Sequence, residues 1–356
     1  MSHVDAAAGD VFDLTIIGGG PVGLFAAYYA GMRHMRTKII DCLEELGGQL
    51  TALYPEKYIF DVPGFPKVLA RDLVKSLVEQ AMQYSPTIAL GETVQTLEVI
   101  QKADGGAVHP SSATDVMVYK IVSNAGVHLT KTLLICAGAG AFSPKKLTVP
   151  GAEKWENNGV HYAVRKKAVF ADKDVLMVGG GDSAIDWALN LQDVVRSITL
   201  IHRRNVFRAH EDSVRKLLAT PTKIMTFCEL EGLIEKDGRL VGADVINNQT
   251  KEKHRLNVDE VVVQIGFNSS LGPIKHWPLE IERGSIRVGQ HMETELPGIF
   301  AAGDVATFDG KLRLIATGFG EAAVAVNYAK HLLDPHAKVF PGHSSELGHQ
   351  SSGVTI

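Results

Sequence analysis

The chain has 356 residues, 45% of them hydrophobic, and a formal net charge of −4. That is enough apolar material for a large core, more naturally two domains than one. The balance of charge leaves no overall basic field to gather nucleic acid or an anionic membrane surface, so any anion site must be local. Cys42, Cys136 and Cys228 are far apart and fit neither a disulfide framework nor a CxxC pair, which points to a reducing, cytoplasmic setting. The start, MSHVDAAAGDVFD, lacks the basic end and apolar run of a signal peptide. Leu14 to Gly31 is apolar but holds five glycines and a proline, so strand, turn and helix explain it better than a membrane span.

In chain order, Phe12 to Ile17 reads as a strand, GGGPVG as a turn and LFAAYYAGMRH as a helix. TKII then makes a second strand ending at Asp41. This βαβ grammar returns downstream as DVLMV, GGGDSA, IDWALNLQDVV and SITLI, ending at His202. The same offset separates Gly18 from Asp41 and Gly179 from His202, so the two strand ends are equivalent positions. Each half closes on a similar phrase, LLICAGAGAF (133 to 142) and VVVQIGFNSS (261 to 270), read as matching crossovers. Residues 101 to 115 are polar and punctuated, a surface excursion. Ser143 to Glu156, with Pro144, Pro150 and Gly151, makes a hinge into the second unit. After Asn268 the chain is expected to return to the first unit through SIRV, GIFAAGD and EAAVAVNYAKHLL. The expected domains are 1–142 with 269–356, and 143–268.

The glycine turns carry the chemistry. Gly18 permits the tight turn, Gly20 lets backbone approach a pyrophosphate, and Gly23 lets helix and strand pack closely. The helix from Pro21 then offers free N–H groups to phosphate, and Asp41 is placed to accept from a ribose diol. The second copy, Gly179, Gly181 and Ala184, opens on Asp182 and Ser183 and ends in His202, Arg203 and Arg204, with Arg208 beyond. A guanidinium fork suits phosphate where a carboxylate would repel it. The arginines are therefore expected to hold the 2'-phosphate of NADPH, and the acid-ended site FAD. GIFAAGD resembles the second flavin-binding segment of flavin reductases, and that resemblance implies Asp304 at the ribityl and pyrophosphate region of the flavin nucleotide.

The paired fingerprints, HRRNVFRA, GIFAAGD and LGGQL (46 to 50) resemble the low-molecular-weight thioredoxin reductase architecture over nearly the whole chain. That resemblance implies an α/β fold of two Rossmann-like dinucleotide-binding domains of the three-layer ββα type, the FAD domain discontinuous, with Gln49 at the flavin. Where such enzymes carry CxxC, this chain has GVHYAVRKKAVF, with Ala163 and Lys166 in place of the cysteines, so dithiol chemistry has no residues to run on. TALYPEKYIFDVPGFP, DSAIDWAL, NSSLGPIKHW, GKLRLIATGFGEA and GHSS are similar to the thioredoxin-reductase-like ferredoxin-NADP reductases. This resemblance implies a homodimer in which Tyr54 stacks on one face of the flavin ring. His343, from the partner subunit's C-terminal extension, covers the other, with Ser344 and Ser345 near N5. The implied reaction is hydride transfer between NADPH and flavin N5, coupled to one-electron exchange with ferredoxin or flavodoxin. Lys145 and Lys146, and Arg165, Lys166 and Lys167, are candidates for docking an acidic ferredoxin. Asp41 stands where glutamate is more usual. A diaphorase with another acceptor and a flavin-based redox sensor remain alternative readings. No HExxH or paired Cys/His spacing suggests a metal.

Overall fold

A computed structural model describes residues 10–100 and 117–342. The excursion at 101 to 115 and the C-terminal His343, Ser344 and Ser345 lie outside the described residues.

The first βαβ unit forms as expected. Strand Val11–Ile17 leads through the glycine turn into helix Pro21–Met32 and then into strand Thr37–Ile40, which pairs parallel to the first with Ile17 beside Ile40. Proline occupies the first turn of the helix, where its missing N–H costs nothing. The sheet grows on one side by Thr87–Ala89 and on the other by Val127–Ile135, Val118–Ser123 and Val94–Ile100. Val127–Ile135 has two kinds of neighbour. Its early residues pair antiparallel with Val118–Ser123, and Leu133 to Ile135 take Ile299–Ala301 in parallel. GIFAAGD therefore returns to the first sheet, and helix Ile315–Leu333 packs on Pro21–Met32.

Helix Ala70–Met82 buries Ala70, Leu73, Val74, Leu77 and Ala81, the three-and-four spacing of a single apolar stripe. These residues share one core with Leu14, Ile16, Ile39, Leu134, Phe300, Ala322 and Val326. The C-terminal segment thus completes the first unit rather than forming a third.

The second unit is a five-stranded parallel sheet in the order Val160–His161, Glu260–Val263, Asp174–Val178, Ser197–His202, Lys223–Thr226. Helix Asp182–Asn190 covers one face and buries Ala184, Ile185, Trp187 and Ala188. Over the other lies the antiparallel meander Cys228–Lys236, Arg239–Asn247, Lys253–Asn257. Helix, parallel sheet and meander make the three layers, with separate apolar cores above and below the sheet. The two crossovers pair with one another: Ala141–Pro144 runs antiparallel to Phe267–Ser270, with Phe267 opposite Pro144. Chain entry to and exit from the second unit are thereby stitched side by side.

Candidate functional site

In the first unit the glycine turn is set by close approach. A Cβ on Gly18, whose φ is +107°, would lie 2.3 Å from the Cys136 carbonyl oxygen, and one on Gly23 would meet the Gly18 carbonyl at 1.9 Å. Gly20 differs: its nearest neighbour beyond the turn is the Gly48 Cα at 4.0 Å, so its outer side is open for a phosphate to approach backbone. Gln49 begins the short helix Gln49–Ala52, and its amide nitrogen lies 3.8 Å from where a Cβ of Gly138 would sit. Gly20 faces Gly48, and Gly138 faces Gln49, with no Cβ on the glycines between them, which leaves backbone that a nucleotide could approach.

Asp41 is buried at the end of its strand. Its carboxylate accepts the Gly19 N–H at 2.5 Å and the Leu43 N–H at 2.8 Å, which fixes the turn to the strand end before any ribose arrives. Burial pushes this carboxyl upward, and the two backbone donors oppose the rise. Cys42, next in the chain, is exposed. Asp41 turns inward, so its neighbour turns out.

Asp304 follows Gly303, whose N–H donates to Glu321 Oε2 at 2.8 Å. Glu321 is buried inside helix Ile315–Leu333 and paired with the equally buried Lys311. A carboxylate set between glycine and alanines in the apolar first half of the helix is the signal that could have singled out Glu321 in the sequence. Tyr54 packs against the cores of both units. Burial, with the charge of Asp304 adding to it, pushes its hydroxyl up to about 12. The same loop crosses to the second unit, where Lys57 Nζ meets Asp186 Oδ2 at 2.6 Å and Glu56 Oε2 accepts the Lys167 N–H at 2.7 Å.

The second glycine turn repeats the geometry. A Cβ on Gly179 would lie 2.3 Å from the Gln264 carbonyl oxygen and 3.1 Å from the Ala184 methyl. The arginine loop folds back onto this turn: Arg208 N–H donates to Gly180 O at 2.8 Å, and His210 N–H to Asp182 Oδ1 at 3.0 Å. Asn248 holds the other side, donating to the Arg203 carbonyl at 2.9 Å. The His202 ring stacks on Phe207 with centroids 5.5 Å apart. Burial and the neighbouring charges of Arg203, Arg204 and Arg208 hold this imidazole below its ordinary value, so it is neutral at pH 7 and the positive charge belongs to the guanidinium groups. Gly179, Gly181, Arg203, Arg204 and Arg208 line one cavity of about 510 Å³. Asp182 and Ser183 follow Gly181 on the first turn of the helix and are not among the lining residues. Lys145 and Lys146, considered above for docking, line the same cavity.

Two nucleotide cradles of one design, with opposite charge at the strand end, define a two-dinucleotide oxidoreductase. Residues 12–329 match the pyridine nucleotide-disulphide oxidoreductase family. The chain is 51% identical over 341 residues to the ferredoxin–NADP reductase of Halalkalibacterium halodurans, covering 95% of this chain and 98% of that one. It is 49% identical over 338 residues to ferredoxin–NADP reductase 2 of Shouchella clausii, with the same coverage. Thioredoxin reductase of Lactococcus lactis, solved in its FR conformation, superposes with a TM-score of 0.74 at 26% identity over 90% of this chain and 99% of that chain. The chain belongs to the pyridine nucleotide-disulphide oxidoreductase family, within the branch formed by these ferredoxin–NADP reductases.

Proposed function

We propose that the protein is an FAD-dependent reductase that moves electrons between NADPH and ferredoxin, with flavodoxin as the second carrier it would serve. The observation that carries this reading is the contrast between Asp41 and the Arg203, Arg204, Arg208 cluster at equivalent ends of two matched βαβ units. A carboxylate accepts from a ribose diol and repels phosphate, whereas three guanidinium groups select it. FAD, when bound, divides the two-electron chemistry of NADPH into the one-electron exchanges an iron–sulfur carrier accepts.

Gly18, Gly20, Gly23, Asp41, Gln49 and Asp304 would hold the flavin nucleotide, with Tyr54 flanking the ring. Protonated well beyond neutral pH, Tyr54 offers a neutral aromatic face and carries no charge to the reaction. Gly179, Gly181, Asp182, Ser183 and the three arginines would hold NADPH. The domain division that suits these roles is 1–142 with 269–356 for FAD and 143–268 for NADPH. In a cytoplasmic homodimer, His343, Ser344 and Ser345 of the second copy would cover the flavin face opposite Tyr54. Arg165, Lys166 and Lys167, beside the positions where Ala163 and Lys166 replace a dithiol, are the cations offered for an acidic carrier to meet.

The test is anaerobic. NADPH is added to the flavin-loaded protein with purified ferredoxin and cytochrome c, in parallel with NADH and with thioredoxin plus a disulfide. Ferredoxin-dependent cytochrome reduction, faster with NADPH and absent with thioredoxin, is the expected result. Flavin reduction without ferredoxin-dependent turnover would overturn the choice of acceptor, and an unreduced flavin would overturn the activity.

A further inference from the structure

We propose that Lys145, carried by the crossover between the units rather than by the glycine turn or the arginine loop, is a fourth phosphate-binding cation of the dinucleotide cavity. The inference rests on reading that cavity as the NADPH site.

Lys145 and Lys146 are neighbours in sequence and both line the cavity, but their ammonium groups are engaged differently. Lys146 is ion-paired with Glu156 and lies over the Tyr162 ring at 4.3 Å. Its charge is already satisfied. Lys145 is exposed at the rim, and among the described residues no carboxylate is ion-paired with it or with Arg203, Arg204 or Arg208. The single acidic lining residue, Glu229, instead accepts from the Asn248 amide at 2.9 Å. Four cations thus share one cavity with a single carboxylate, which is ion-paired with none of them, so the net field is positive and favours a polyanion.

The backbone of Lys145 is placed as firmly as that of the arginines. Its N–H donates to the Gly266 carbonyl at 3.0 Å, extending the antiparallel pairing of Ala141–Pro144 with Phe267–Ser270. Two residues on, the Leu147 N–H donates to the Tyr162 hydroxyl at 3.0 Å. Gly266 itself directly follows Gln264 and Ile265, which line the cavity beside the glycine turn. The lysine therefore stands on a fixed lip, and its flexible stem is the part left to close on a ligand. An ammonium acts as a point charge, so it can follow a phosphate without the planar match a guanidinium needs.

Binding of adenosine 2',5'-bisphosphate and of adenosine 5'-monophosphate to the full-length, flavin-loaded protein, measured by calorimetry at two salt concentrations, tests the assignment. Lys145→Gln is expected to raise the Kd for the bisphosphate by roughly threefold to tenfold, with a shallower salt dependence. Lys145→Arg should restore most of the affinity, and Lys146→Gln should change it less. A loss confined to the bisphosphate places the ammonium at the 2'-phosphate, and an equal loss for both ligands places it at the 5' side. Unchanged affinity in Lys145→Gln, or equal losses in the Lys145 and Lys146 variants, would overturn the proposal. Arg203→Ala separates the two readings. If it too leaves the bisphosphate Kd unchanged, the cavity is not the NADPH site. If it weakens binding while Lys145→Gln does not, only the lysine is wrong.

Discussion

Asp182 Oδ1 accepts the backbone N–H of His210 at 3.0 Å, tying the first turn of the second unit's helix to the far end of the arginine loop. With the Arg208 N–H on Gly180 O, this bond determines where three exposed guanidinium groups stand relative to the glycine turn. Replacing Asp182 with Ala should let the loop drift while leaving the fold intact. A charge-assisted bond of this kind is worth about 1.5–3 kcal/mol, so KM for NADPH should rise by roughly tenfold or more, with kcat at saturating NADPH little changed. Steady-state kinetics check this. A fall in kcat at constant KM would place Asp182 in the chemistry instead.

Selectivity should reside in the loop the aspartate holds. Arg203→Ala combined with Arg204→Ala removes two of the three guanidinium groups. NADPH should then lose about 30-fold or more in kcat/KM, and NADH, which has no 2'-phosphate, should lose little. Comparable losses for the two nucleotides would mean that the arginines meet the pyrophosphate or serve the fold.

Much of this site is legible in the sequence, because close backbone approach leaves a residue-level trace. Gly18, Gly23 and Gly179 are glycines since a carbonyl oxygen stands where a Cβ would be, and Asp41 and His202 stand at one offset, with the arginines directly after His202. What is not legible depends on pairing between distant segments. Lys145 reads as a hinge cation until Phe267–Ser270 pairs with Ala141–Pro144 and brings it to the cavity. Glu321 stands out in its helix, but its partners Lys311 and Gly303 are not legible until the C-terminal helix docks on the first unit.

Gly180 gives a steric test confined to one site. A Cβ there would come within 2.3 Å of His202 Nδ1, so Gly180→Ala must push the imidazole off its stack on Phe207. Overpacking of this kind costs about 1–3 kcal/mol. The expected outcome is a lower Tm and weakened NADPH binding with the flavin content unchanged, read by melting, titration and the visible spectrum. Loss of flavin would show that the two units do not respond separately.

A pH dependence of stability should come from the first unit, where His128, only 8% exposed, bridges two charges. Its Nδ1 lies 3.1 Å from Lys38 Nζ, and its Nε2 lies 2.8 Å from Glu92 Oε2. An ammonium can only donate, so Nδ1 accepts and the proton sits on Nε2, facing Glu92. Burial, helped by the Lys38 charge, holds this imidazole below its ordinary value against the opposing pull of Glu92. The folded protein therefore binds the proton less readily than the unfolded chain, whose histidines titrate near about 6.5. Stability is fully present above that value and falls as pH drops through it toward the folded pKa. Glu92 adds a second loss in more acid solution: burial raises its carboxyl, but hydrogen bonds from Ser123 and His128 outweigh this and lower it. His202, also lowered, acts in the same direction from the second unit. The Tm of the wild-type protein should decrease between pH 7.5 and 5.5, and His128→Gln should flatten part of that slope, with His202→Gln accounting for the remainder. A His128→Gln protein that keeps the full slope would show that the Lys38, His128 and Glu92 chain does not set the acid sensitivity.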